Sequence, residues 1–473
     1  MTRLNAWAIA TVGACLVAGA ALTAASDPGL LSAAKRADLP AVRTLLKNGA
    51  DVRVAEADGT TPLHWAVHHN NLEMVNLIVA AGGDVKAANR YGVTPLALAC
   101  LNGNAAVVDR LLKAGADPNT ASREGETVLM TAARTGAVDV VKRLIAAGAN
   151  VSAKETWRGQ TALMWAIGEG HLEIVKTLLE TGADLYGRTP KGFTPFLFAV
   201  RGGNFDMVKT LLAAGADVNE TAGEGTTALV VAIVNAHFEL AAYLLDQGAD
   251  ATADMPGGTA LHAVTRTRDY EYGTVVRPAA VQTGNMDPLQ LVTKLLDFGA
   301  DPNARIVKPL PRQGGFDNNY LRLIGATPFL LAARAADPTL MRLLASRGAD
   351  PLLTTNEGVT PLMVAAGMGY VQGQSIGTGT ERLEAVKVAL ELGGDVNATT
   401  SKTLETAMHG AATGGVNEVV ELLAAKGARL DAKDKDGTTP LMIADGTKSN
   451  FRRWDRTAAL LKKLLAESQS QQP

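Results

Sequence analysis

The chain contains 473 residues, of which 47% are hydrophobic but only 4% are aromatic, so its core must be built mainly from Ala, Leu and Val. Small apolar side chains suit the close stacking of short helices that repeat proteins use. The net charge of −2 is too close to zero to support a nucleic-acid partner.

The first 25 residues differ from the rest of the chain. Arg3 is their only charged residue, and residues 6–25 are apolar or small. This pattern predicts a signal peptide, and hence an exported protein that is periplasmic or secreted. Two alternatives stay open. The segment is long enough, at roughly 20 residues, to remain as a membrane anchor, and Val-Gly-Ala-Cys ending at Cys15 resembles a lipobox, in which that cysteine would be lipidated.

Cysteine usage excludes a disulfide framework. Cleavage of the signal would leave Cys100 as the one cysteine of the mature chain. Cys100 follows Leu98 and Ala99 on a predicted helix, where we expect it to be a small buried apolar residue. The stability of the protein must then come from packing.

A Gly-Ala-Asp sequence or a close variant recurs along the chain, and its first six intervals are 33, 33, 33, 34, 33 and 33 residues. The first glycines stand at positions 49, 82, 115, 148, 182, 215, 248, 299, 348, 393 and 427. A second motif follows most of them, for example Thr61-Pro62-Leu63-His64, Thr94-Pro95-Leu96, Thr161-Ala162-Leu163, Thr194-Pro195-Phe196 and Thr439-Pro440-Leu441.

One repeat is sufficient to predict a pair of helices. Thr61 can cap a helix, and Pro62 fits its first turn, where no amide donor is needed. Ala66 is small enough to let neighbouring helices approach. A second helix follows the turn at 70–71, and Gly82 ends it, since glycine tolerates the left-handed conformation. One such unit cannot bury its own apolar face, so neighbouring units must stack.

These motifs resemble the ankyrin repeat over residues 27–466. The resemblance implies an all-α solenoid of about twelve helix-turn-helix units with short β-hairpin fingers. It also implies a protein partner, bound through the concave groove and the hairpin tips. The first unit, near residues 30–50, and the last unit depart from the motif and are predicted to be caps. Residues 467–473 are predicted to be a disordered tail.

Three successive repeats are too long. Their intervals of 51, 49 and 45 residues contain roughly 18, 16 and 12 residues beyond the period. The insertions are predicted near 269–286, 306–323 and 371–380. Exposed aromatic residues on such loops are typical contact anchors, and we select Tyr270, Tyr272, Phe316 and Tyr320 as candidate partner-binding residues. The alternative is that these rings fill gaps within their own loops.

A second candidate surface lies at the end of the first helix of several repeats, where the same position carries Arg134, Arg201, Arg266 and Arg334. The family resemblance places this position in the groove, so these arginines would form a basic stripe. The alternative is a neutralised, solvated face, because four glutamates lie near these positions in sequence: Glu124, Glu126, Glu169 and Glu224.

Catalytic and metal motifs are incomplete in this chain. Ser375 lies in a Gly-x-Ser-x-Gly sequence, but no strand precedes it, so a flexible loop is expected there. Residues 431–437 lack a ligand that a calcium loop needs. His64 and His68 have only His69 nearby as a further zinc ligand, whereas zinc normally needs three or four placed ligands. The family resemblance instead predicts that His64, like His262 and His409 at the same repeat position, hydrogen-bonds backbone between units. No cofactor or metal is expected.

The sequence therefore predicts an exported, monomeric binding scaffold without enzymatic activity. It would bind a protein through the groove, the hairpin tips and the insertion loops. Two further hypotheses stay open: a membrane-tethered assembly or accessory factor for a partner enzyme, and an enzyme that uses residues of the insertions. Contact with a membrane is expected only through residues 1–25.

Overall fold

The computed structural model describes residues 29–268, 282–308, 323–369, 378–447 and 453–470. The chain divides into two compact units, Met1–Ala183 and Asp184–Pro473. The predicted signal segment and most of the three insertions lie outside the described residues. Within the described part of the chain, no helix is long and apolar enough to cross a membrane.

The first unit contains five pairs of helices among its described residues. We call the first helix of each pair the inner helix and the second the outer helix. The pairs are α1 Leu30–Lys35 and α2 Leu39–Lys47, α3 Pro62–His68 and α4 Leu72–Ala80, α5 Pro95–Leu101 and α6 Ala105–Lys113, α7 Val128–Thr135 and α8 Val138–Ala146, and α9 Ala162–Glu169 and α10 Leu172–Glu180.

The described residues of the second unit form seven further pairs. They are α11 Pro195–Gly202 and α12 Phe205–Ala213, α13 Ala228–Val234 and α14 Phe238–Asp246, α15 Ala260–Arg268 and α16 Pro288–Asp297, α17 Pro328–Arg334 and α18 Pro338–Ser346, α19 Pro361–Ala366 and α20 Gly379–Glu391, α21 Ala407–Gly414 and α22 Asn417–Ala425, and α23 Pro440–Ala444 and α24 Asp455–Ser470. Twelve pairs, with isolated β-bridges as the only extended pairing in the described chain, confirm the predicted all-α class.

The repeated threonine starts the inner helices by capping them. In α5, for example, Thr94 Oγ1 accepts a hydrogen bond from the Ala97 N–H at 3.2 Å, and Pro95 occupies the first turn. Such a cap satisfies one of the backbone donors that every helix leaves open at its start. The sequence motif is therefore a helix-start signal, which is why it fixes the register of the whole array.

Stacking buries one face of every helix. Ala66 is fully buried in α3, and this inner helix packs against α1 and α5. In the outer helix α4, Met74, Val75 and Ile78 are fully buried. Within each unit, neighbouring pairs therefore share a core. Most of these helices have six to nine residues and are too short to be stable alone in water.

Asparagines clamp one repeat to the next. Asn119 Nδ2 donates to the Gly148 carbonyl at 3.2 Å, while the Asn150 N–H donates to Asn119 Oδ1 at 2.7 Å. The same pair of hydrogen bonds recurs at three equivalent residues of the second unit, namely Asn219, Asn303 and Asn397. Backbone groups that the outer helix leaves open at its end are satisfied in this way.

The histidines of the Thr-Pro-Leu-His position link successive repeats, as predicted. His64 Nε2 donates to the Val93 carbonyl at 3.0 Å, and His64 Nδ1 accepts from the Thr61 N–H at 3.1 Å. His262 and His409 make the same two bonds in the second unit. Both ring nitrogens are used by backbone, so these imidazoles are structural.

The last pair is closed by a tryptophan. Trp454 Nε1 donates to the Thr413 carbonyl at 3.1 Å, and the indole covers Gly415, where a Cβ would meet the ring at 2.5 Å. Helix α24 runs through Ser470 and so includes the first residues of the segment predicted as a disordered tail. Glu467 stabilises this extension, since it lies 3.8 Å from Lys463 one turn earlier and its carbonyl accepts from the Ser470 hydroxyl.

Candidate protein-binding surface

The segments between one outer helix and the next inner helix form the fingers of the fold, and in the first unit their tips are hydrogen-bonded to one another. The Arg90 N–H donates to the Asp58 carbonyl at 2.6 Å. Arg123 Nη2 donates to the Arg90 carbonyl at 2.9 Å. The Thr156 N–H donates to the Glu124 carbonyl at 2.8 Å. Neighbouring tips are therefore held in fixed positions.

A side chain at the start of the turn closes the second, third and fourth fingers. Asn89 Oδ1 accepts the N–H groups two and four residues later, both at 3.0 Å, and Ser122 Oγ makes the equivalent contacts. Glu155 takes this place in the fourth finger. Its buried carboxylate accepts from the N–H groups of Trp157, Arg158 and Gln160 at 2.6 to 2.9 Å.

The fourth finger is also where the repeat gains one residue, in the 34-residue interval between Gly148 and Gly182. The Glu155 side chain is long enough to cross the larger turn, and it accepts from the N–H five residues later. The shorter Asn89 side chain accepts from the N–H four residues later. The extra residue projects Trp157 from the tip, with 72% of its surface exposed. The guanidinium of Arg158 lies 3.9 Å from the indole centroid.

The second finger carries a smaller version of the same arrangement. Tyr91 is 40% exposed, and the Arg90 guanidinium lies 4.7 Å from its ring centroid and donates to its hydroxyl. Exposed rings backed by guanidinium groups are typical of protein contact sites, because they offer a large rigid area at low entropic cost.

Of the four predicted arginines, Arg134 lies in the first unit, near the end of the inner helix α7. Its side chain is only 14% exposed, and its Nη2 lies 3.6 Å from Glu126 Oε1. Its guanidinium lies 6.0 Å from the ring centroid of Trp165 on α9. The pairing of Glu126 with Arg134 agrees with the alternative that the arginines form a neutralised, solvated face. The position of Arg134 does not, because this arginine is packed on a ring rather than solvated.

The other three arginines lie in the second unit, on α11, α15 and α17. The Arg201 guanidinium lies against two adjacent rings, 5.3 Å from the centroid of Phe193 and 5.0 Å from that of Phe198. Arg266 and Arg334 are half-buried near the ends of their helices. The structure thus places all four at one repeat position. The candidates Tyr270, Tyr272, Phe316 and Tyr320 lie outside the described residues, as does Ser375.

Trp65 and Trp165 occupy the same position on two inner helices. Trp65 packs in the core: it is 5% exposed, its Nε1 donates to Glu56 Oε1 at 3.2 Å, and Lys35 lies over its ring. Trp165 differs, because it is half-buried and its buried Nε1 has no hydrogen-bond acceptor among the described residues. Glu155 stands at the repeat position of Glu56, but its carboxylate bonds the backbone of its own turn and does not accept from Trp165.

The first insertion is anchored at both of its ends. Arg268 donates to Asp337 Oδ2 at 2.8–2.9 Å through two of its nitrogens. At the other end, Thr283 Oγ1 lies 2.7 Å from His237 Nδ1, and the Asn285 N–H donates to Glu239 Oε1 at 2.8 Å. The residues just before α16 are therefore bound to the start of α14.

Burial shifts the pKa of two histidines and of the free cysteine. Burial lowers the pKa of His64, and it lowers the pKa of His262 to about 4, so both rings are neutral at physiological pH. Burial raises the pKa of the Cys100 thiol, which makes this free cysteine unreactive. Across the described residues, no group of three or more His, Cys, Asp or Glu is arranged to hold a metal ion.

The arrangement is therefore suited to contact rather than to proton transfer. It presents cations over aromatic rings at the inner-helix ends and at the finger tips. Trp157 and Arg158 are not among the residues that the sequence motifs single out for partner binding. The 34-residue interval was the signal that could have found them, since an extra residue in a closed turn must project outward.

A family model that describes three consecutive ankyrin repeats matches the chain four times, at residues 30–122, 107–189, 185–255 and 378–450. Together these matches cover more than half of the chain. Among curated proteins, the chain is similar to the ankyrin repeat and KH domain-containing protein mask of Drosophila melanogaster, with 34% identity over 116 residues. That match covers 24% of this chain and 3% of the relative. The chain thus spans a very small part of that protein's length.

Proposed function

Since the chain belongs to the ankyrin-repeat family, whose members generally mediate protein–protein interactions, we propose that it is an exported scaffold that binds a protein partner. The surface that we assign to the partner comprises the inner-helix ends and the finger tips. The observation that carries the proposal is the packing of guanidinium groups on aromatic rings at these positions, above all Arg201 against Phe193 and Phe198.

The energetics favour this surface as a contact site. Arg201 is held in place by two rings before any partner arrives, so little side-chain entropy is lost on binding. A guanidinium packed on rings keeps its planar N–H fork, which recognises carboxylates with two parallel hydrogen bonds. A solvated lysine at the same place would have neither advantage.

The test is affinity capture with the full chain, followed by mass spectrometry. The bait is compared with an Arg201→Glu, Arg266→Glu double variant and with a matched control, Lys462→Glu, Lys463→Glu, which reverses two exposed charges on α24. We expect the wild type and the control to retain the same partner, and the arginine variant to lose it through a slower on-rate and a changed salt dependence. Equal retention by all three baits would refute the inner-helix site.

The insertion loops remain a second candidate within this function. Removing residues 270–281 deletes Tyr270 and Tyr272 but keeps the anchors at Thr283 and Asn285. If this variant loses the captured partner while the arginine variant retains it, the partner binds the insertions and not the inner-helix ends.

A membrane-tethered assembly factor and an enzyme are distinguished from a free scaffold by separate tests. The assembly factor requires that residues 1–25 stay in the mature chain, which an intact mass measurement decides. Ankyrin-repeat proteins are typically non-enzymatic scaffolds. An enzyme using the insertions would lose its activity in Ser375→Ala.

A further inference from the structure

We propose that the finger tips of the first unit form a docking ridge for an acidic, extended segment of the partner protein. The ridge consists of Arg90, Tyr91, Arg123, Trp157 and Arg158, and we call it the tip ridge. This inference rests on the proposed function, because it specifies the chemistry of one contact that the partner would make.

The tip ridge is a single preformed surface. Arg123 bridges from the third finger to the Arg90 carbonyl of the second, and the Glu124 carbonyl joins the third finger to the fourth through the N–H and hydroxyl of Thr156. The carboxylate of Glu155 holds the fourth tip rigid from within. A partner therefore meets fixed groups and does not have to order three separate loops.

The charge of the tip ridge is positive because cations outnumber the exposed acids there. Glu155 is buried and bonded to three backbone N–H groups, and Glu126 pairs with Arg134 on α7. Glu124 is the one exposed carboxylate among the described residues of these three tips, and it accepts from the Ser122 hydroxyl. Against it stand the three exposed guanidinium groups of the tip ridge.

The two aromatic rings set the kind of acidic segment that fits. Trp157 and Tyr91 present apolar faces beside guanidinium groups, so a segment that mixes carboxylates with apolar residues meets both chemistries. Adjacent repeats lie about 10 Å apart, so three tips extend over about 20 Å. An extended chain covers that distance with about six residues.

The test is a titration of the full chain by fluorescence anisotropy at low salt. The probe is a fluorescein-labelled ten-residue peptide of alternating Glu and Leu, and the reference is the same peptide with Gln for Glu. We expect saturable binding of the Glu peptide, at least tenfold weaker binding of the Gln peptide, and a loss of affinity as salt is added.

Variants locate the binding. Arg158→Glu and Trp157→Ala should each weaken the Glu peptide about tenfold or more. Lys86→Glu is the matched control, because it reverses an exposed charge at the base of the second finger, away from the tips, and should leave the affinity unchanged. Unchanged melting temperatures confirm that all three variants are folded, as expected for such exposed positions.

Three outcomes would overturn the tip ridge. They are equal binding of the two peptides, insensitivity to Arg158→Glu, and preferential binding of phosphatidylglycerol vesicles or duplex DNA over the Glu peptide. None of these affects the capture experiment with Arg201→Glu, Arg266→Glu. A failure of the tip ridge is thereby distinguished from a failure of the proposed function.

Discussion

Replacing Ala66 by Asp tests the packing of the first unit most severely. Ala66 is fully buried in α3, where this inner helix packs against α1 and α5. An aspartate there places a carboxylate among apolar neighbours without a cation. An uncompensated buried charge costs about 3 to 5 kcal/mol. Because the unit spans Met1–Ala183, a cost of this size should lower its melting temperature by roughly 6 to 20 °C.

The assay is thermal unfolding followed by circular dichroism at 222 nm, with two comparisons. Ala66→Asn has nearly the same shape without the charge, so it should be less damaging at pH 7, and the difference should shrink as the aspartate is protonated at lower pH. Lys86→Glu changes an exposed finger residue and should shift the free energy of unfolding by less than about 0.5 kcal/mol. Equal melting temperatures for Ala66→Asp and Lys86→Glu would refute the assignment of repeat positions.

Three further predictions concern the second unit. His262 has its pKa lowered to about 4 by burial, so its native state binds fewer protons than the unfolded chain between pH 6.5 and 4, and stability falls as pH falls through that window. Urea unfolding should show the wild type losing about 3 kcal/mol more than His262→Gln from pH 7 to 4, and parallel losses would contradict this. Arg382 is 2% exposed and donates to the Ala365 carbonyl at 3.2 Å. Arg382→Ala should therefore cost about 2 kcal/mol in urea unfolding, and an unchanged midpoint would show that this contact is unimportant. Asn303→Ala removes both clamp bonds across one repeat boundary and should cost about 1 kcal/mol, with faster amide exchange at Asp350, whereas unchanged exchange would count against the clamp.

The helices could be predicted from the sequence because the repeat motif is a set of local physical signals. The Thr-Pro motif starts an inner helix, as Thr94 and Pro95 do. The glycine that follows an outer helix takes a left-handed conformation, as Gly82 does at φ 90°. The backbone bonding of His64 was predictable from its place in the motif. These features depend on a few neighbouring residues and not on long-range packing.

Other features depend on contacts that the repeat does not encode. Trp454 replaces the histidine that regular pairs have as His171 and His237. Each of these three rings covers a glycine and lies within hydrogen-bonding distance of the backbone carbonyl two residues before that glycine. No sequence pattern equates a tryptophan with a histidine at a different spacing. The exposure of Trp157 likewise follows from the hydrogen bonds of Glu155, which sequence periodicity does not show.

The helix at the C-terminus shows a related limit. Ser468 and Ser470 are polar, and their composition predicts disorder, but both hydroxyls bond backbone carbonyls one turn earlier, on Leu465 and Glu467. Composition alone does not distinguish a solvated helix end from a disordered tail, because neither buries apolar surface.

The central claim, that the inner-helix ends and finger tips bind a protein, is tested most directly by hydrogen–deuterium exchange of the full chain with and without the captured partner. We expect slower exchange in the fingers around Tyr91 and Trp157 and at the ends of the inner helices near Arg201 and Arg266, with the outer helices unchanged. Protection confined to the outer helices, or no protection in the presence of a partner that binds, would contradict the claim.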